Sequence, residues 1–84
     1  MDTKKIKTLL KDKLSLNEIY ITGNNNHLHI IAIGEIFQGM NEVKRQQSIY
    51  TYLTKDILEK KIHAISIQSY SPKEWSTKKI LYNI

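Results

Sequence analysis

The residues with the most chemistry to offer in this 84-residue chain are its three histidines. His27 and His29 lie two apart in His27-Leu28-His29-Ile30-Ile31-Ala32-Ile33-Gly34, a stretch that reads as a strand. Side chains two apart on a strand share a face, so the two imidazoles point the same way. His63 opens a second such stretch, His63-Ala64-Ile65-Ser66-Ile67-Gln68-Ser69-Tyr70. Neutral imidazole ligates zinc, copper and iron, so these positions are candidate metal ligands. The simpler account is an exposed strand face that carries polar residues, with His63 bonded to backbone. The chain has no cysteine. That excludes a disulfide framework, a thiolate-held cluster and a thiol nucleophile. Soft-metal chemistry must therefore borrow thiolate from another molecule or use histidine alone. No glycine-rich phosphate loop, nucleophile motif or usefully spaced carboxylate pair is present, and no enzymatic activity is expected.

Charge supplies the second candidate chemistry. The chain carries a net charge of +5 and a pI near 9.5, which favours acidic partners or nucleic acid. Lys44, Arg45, Lys60 and Lys61 could meet phosphates from the long helix described below, helped by Lys4, Lys7 and Lys11 of the first helix. Against this, Arg45 is the only arginine, and sequence-reading proteins rely on the planar guanidinium fork. Glu42, Asp56 and Glu59 are interleaved with the bases, as on a solvated helix face. Any DNA affinity is expected to be weak and salt-sensitive.

The elements that must position these groups follow from periodicity. Residues 3–14 place Ile6, Leu9, Leu10 and Leu14 on one face of an amphipathic helix, with Asp2 or Thr3 as its cap. Residues 18–22 alternate as a strand, Gly23-Asn24-Asn25-Asn26 is a turn, and 27–34 returns, which makes a hairpin. Gly39 supplies backbone freedom in the connection that follows. Asn41 then caps a helix over about 42–60, with Val43, Gln46/Gln47, Tyr50, Leu53, Ile57 and Leu58 as its inner stripe. Residues 63–70 form the third strand. Ser71-Pro72-Lys73-Glu74 is a helix start with a capping box, and Trp75 follows as an anchor. The order is αββαβα, an α+β fold with a three-stranded mixed sheet in one domain over residues 1–84. No apolar run approaches the roughly 20 residues of a membrane span, and no signal-peptide pattern opens the chain, so the expected compartment is the cytoplasm.

Two blocks of sequence carry a resemblance. Ala32-Ile33-Gly34-Glu35-Ile36-Phe37-Gln38-Gly39-Met40, followed by Val43-Lys44-Arg45-Gln46-Gln47 and Tyr50, resembles the central block of BolA-family proteins. Ile62-His63-Ala64-Ile65-Ser66-Ile67, with Tyr70-Ser71-Pro72-Lys73-Glu74-Trp75, resembles their C-terminal block. Arg45-Gln46-Gln47 is similar to the IbaG (YrbA) branch, where BolA proper has a histidine. The resemblance implies a fold like a class II KH domain, yet the GxxG loop with which KH domains grip nucleic acid is missing here. It also implies pairing with a monothiol glutaredoxin around a shared 2Fe-2S cluster. In that arrangement His63 matches the family's C-terminal histidine ligand, and the second ligand comes from the first hairpin, as His27 or, failing that, His29. Imidazole in place of thiolate makes such a cluster less negative and raises its potential, and ligation weakens as pH falls toward the histidine pKa. The rival expectation is a small nucleic-acid-binding regulator using the basic surface.

Overall fold

The computed structural model describes residues 3–24, 26–60 and 64–82, with the side chains of 54–60 outside the described set. The first helix, α1, runs Thr3–Lys13. Ile6, Leu10 and Leu14 are buried at the expected four-residue spacing, and Leu9 is half-buried beside them. The cap offered by Asp2 lies outside the described residues. At the far end Ser15 takes a left-handed conformation (φ 50°), and Leu16 N–H donates back to the Lys11 carbonyl at 3.0 Å. That closure ends the helix and turns Leu16 into the core.

Strands β1 (Glu18–Gly23) and β2 (Leu28–Ile33) form the antiparallel hairpin, in register from Glu18 opposite Ile33 to Gly23 opposite Leu28. Gly23 sits at φ 102°, and a Cβ there would overlap the His27 carbonyl oxygen, so only glycine closes this turn. His27 falls just before β2 rather than inside it. Strand β3 (Ile65–Tyr70) lies parallel to β2, with Leu28 opposite Ile65 and Ile33 opposite Tyr70. The sheet order β1-β2-β3 makes β2 central. A parallel pair needs a long crossover, and α2 (Glu42–Lys60) provides it.

One face of the sheet carries Ile19, Leu28, Ile30, Ala32 and Ile67 against α1, α2 and Phe37, and this is the core. Asn41 caps α2 as expected, its Oδ1 accepting from Lys44 N–H at 2.9 Å. The inner stripe of α2 differs from the one periodicity predicts. Leu53 is buried as expected, but Val43 is 64 % exposed and Tyr50 is also exposed, whereas Arg45 and Ile49 are buried. Ile57 and Leu58 fall outside the described side chains. The cause is Arg45. A charged residue occupies the first inward turn, so a pattern built on apolar residues alone picks the neighbouring stripe.

Among the described residues the other face of the sheet is covered only at one end. Helix α3 (Pro72–Lys78) begins with a complete capping box. Ser71 Oγ accepts from Glu74 N–H at 3.2 Å, and Ser71 N–H donates to Glu74 Oε1 at 2.8 Å. Trp75 packs down as the anchor that its position suggests, with ring centroids 5.5–5.9 Å from Tyr20, Tyr70 and Tyr82. A short 3-10 turn over Lys79–Tyr82 follows and leaves Ile80 and Leu81 on the surface. Among the described residues no helix is long and apolar enough to cross a membrane.

Candidate functional site

The uncovered end of that second face carries Thr22, His29, Ser66 and Gln68, one or two from each strand. Register places them together: Thr22 lies opposite His29, and His29 lies opposite Ser66. A shallow groove of about 520 Å³ runs over them, lined also by Ile30, Ile31 and Tyr82. His27 leaves the turn onto the same face. Its ring stacks on His29 with centroids 4.1 Å apart and planes 16° from parallel, and its Nε2 shares a 2.7 Å hydrogen bond with Ser66 Oγ. Both histidines are exposed.

Backbone geometry explains why His27 is held here. Asn24 N–H donates to the His27 carbonyl at 3.0 Å, and Asn24 Oδ1 accepts from Asn26 N–H and His27 N–H. The asparagine turn thus fixes His27 from both sides, as Asx turns do. The expected common face of His27 and His29 is therefore present, with a geometric restriction. A metal bound by imidazole lies in the ring plane, and two nearly parallel rings have no shared in-plane point between them. In this arrangement His27 and His29 are alternatives rather than a chelating pair.

His63 lies outside the described residues. Its chain neighbour Ala64 is described, and the Ala64 carbonyl accepts from Leu28 N–H at 2.9 Å. The chain after His63 therefore enters the sheet beside the residue that follows His27. Among the described residues no group of three or more histidines, cysteines or carboxylates could hold a metal ion. The described donors on this face are the nitrogens of His27 and His29, and the chain has no cysteine to add thiolate.

The basic candidates separate. Lys44 is exposed at the start of α2. Lys60 is within α2 with its side chain outside the described set, and Lys61 lies outside the described residues. Arg45 is not on the polar face, since it is 8 % exposed and runs inward. Its Nη1 donates to Glu74 Oε1 at 2.7 Å and to the Ser69 carbonyl at 2.9 Å. Its Nη2 reaches Glu74 Oε2 at 3.3 Å, and its Nε donates to the Met40 carbonyl at 3.0 Å. One guanidinium ties the start of α2, the end of β3 and the start of α3 together. The Arg45 bond, with help from Ser71 N–H, holds the Glu74 carboxyl down at about 2. Positive charge concentrates instead on α1, with five lysines against one aspartate.

Two contacts escape sequence reasoning. Ser66 is an ordinary strand serine until the parallel register brings it to His27, and no local pattern signals that. Arg45–Glu74 is a contact between residues 29 apart in the chain. The Tyr70 hydroxyl, pushed well up by burial and its bond to Tyr82, is not an acid at neutral pH.

These features define a small α+β domain that offers side chains from an open strand face, with a clamp and an aromatic cluster holding the opposite end. A family model described as BolA-like protein matches residues 3–74, and the chain belongs to that family. It is 42% identical to the acid stress protein IbaG of Escherichia coli K12, over 90% of this chain and 90% of that protein. It is 56% identical to an uncharacterized protein of Buchnera aphidicola subsp. Schizaphis graminum, over 89% and 94% of the two chains. Among solved structures, BolA1 from Arabidopsis thaliana superposes with a TM-score of 0.75 at 28% identity, covering 84% of this chain and 92% of that one.

Proposed function

We propose that this chain is a non-enzymatic adaptor that pairs with a monothiol glutaredoxin and supplies histidine ligands to a shared 2Fe-2S cluster. The observation that carries the reading is the exposed imidazole face of His27 and His29 on a BolA-like chain without cysteine. A chain with a partial, nitrogen-only ligand set needs a partner that brings thiolate, and a glutaredoxin has it. His63 is the principal ligand in this reading, and His27 is the second, with His29 as its substitute. When bound, such a cluster supplies one-electron chemistry at a potential raised by imidazole. Of the chain's own residues, His27 and His29 are exposed, and Asn24 holds the backbone of His27.

The alternative, a nucleic-acid-binding regulator, keeps only lysines for its contacts, because Arg45 is committed to Glu74. Lysine binds phosphate as a point charge, which yields affinity without base reading.

The test is to mix the protein with a cluster-loaded monothiol glutaredoxin and follow the visible absorption and circular dichroism spectra. A changed cluster spectrum in a one-to-one complex is expected, and His63→Ala should abolish the change. An unaltered glutaredoxin spectrum with the unmodified chain sinks the reading.

A further inference from the structure

We infer that Ser66 is the positioning residue for His27, taking up Nε2 and leaving Nδ1 as the nitrogen His27 presents to a metal. This rests on the shared-cluster reading above and deepens it.

An imidazole has two ring nitrogens, and the partner of one decides what the other can do. Here Nε2 is committed to Ser66 Oγ at 2.7 Å. A ligating nitrogen must present a lone pair, so ligation through Nδ1 requires the proton on Nε2, with the serine oxygen accepting it. Metal-bound histidines are routinely oriented by such a second contact, whose loss costs about 10- to 100-fold in metal affinity. His29 supplies the remaining restraint. Its ring stacks on one face of the His27 ring with centroids 4.1 Å apart. Ring plane and backbone are thereby both restrained, the latter by Asn24. Ser66 reaches this position from β3, 39 residues further along the chain.

Ser66→Ala removes the hydroxyl, and Ser66→Thr keeps one at nearly the same place. In the free protein, proton NMR of the two histidine rings reads the stack directly, because a ring lying over another shifts its protons. Ser66→Ala should move the His27 ring protons toward their unstacked positions, and Ser66→Thr should restore them. In the complex with a cluster-loaded monothiol glutaredoxin, Ser66→Ala should weaken formation of the altered cluster spectrum on the order of tenfold, again with recovery in Ser66→Thr. Reduction makes such a cluster paramagnetic. Ligation through Nδ1 then leaves one carbon-bound ring proton of His27 next to the iron-bound nitrogen, whereas ligation through Nε2 leaves two. If Ser66→Ala changes neither the ring shifts nor the spectrum, or changes the shifts alone, Ser66 does not position a ligand. Two iron-adjacent ring protons on His27 would overturn the choice of Nδ1. If the unmodified chain forms no shared cluster at all, the underlying reading falls, and this inference with it. In that case the ring shifts of the free protein still show whether the Ser66 contact itself exists.

Discussion

The two ends of one sheet face are built to opposite specifications. At the end near Ile33 and Tyr70, α3 lies over the strands and Trp75 is 3 % exposed among three tyrosines, with the Arg45–Glu74 pair alongside. At the end near Gly23 and Leu28, no described helix covers the strands, and histidines, serine, threonine and glutamine face outward. The strands are the same and their alternation is the same. What differs is whether a capped helix follows close enough to cover the side chains. The closed end spends its residues on packing, so changes there should register as stability. The open end contributes few buried contacts, so changes there should register in ligand chemistry with little effect on the fold.

The largest effect should come from Trp75→Ala, which empties the centre of the aromatic cluster. A loss of about 3–5 kcal/mol in urea unfolding is expected, and a loss below about 1 kcal/mol would mean the closed end is not an anchor. Next is Glu74→Gln. It leaves the Arg45 guanidinium inside without its carboxylate and weakens the capping box of α3. A buried pair broken this way costs several kcal/mol, but the Glu74 side chain is 45 % exposed, so screening reduces the expectation to about 1–2 kcal/mol.

The same residue sets an acid limb. Its folded pKa is depressed to about 2 from the ordinary 4.5. Its contribution is therefore complete above about pH 4.5 and is lost as pH falls toward 2. Stability measured across that window should fall more steeply in the unmodified chain than in Glu74→Gln, and parallel curves would remove this pair from the account of the closed end. Smallest should be His29→Ala, within about 0.5 kcal/mol in stability as for an exposed position. If His29→Ala instead unfolds the protein, the open end is structural and the contrast between the two ends fails.

Most of the fold was legible. The α1 stripe, the hairpin turn at Gly23, the Asn41 cap and the Ser71–Glu74 capping box are local signals, and each acts within a few residues of itself. The α2 stripe was misread at Val43 and Tyr50 because hydropathy cannot see that Arg45 finds a carboxylate and two carbonyls inside. The candidate site was half legible. Strand alternation put His27 and His29 on one face, but nothing local announced Ser66.

Residue order alone determined the element order, the caps and which side chains share a strand face, since these follow from backbone geometry over spans of two to four residues. Only the tertiary structure decided that β3 runs parallel to β2 in the register that sets Ser66 against His27, and that Glu74 closes on Arg45. Those pairings join residues 39 and 29 apart, and their geometry exists only once the α2 crossover has brought the strands together.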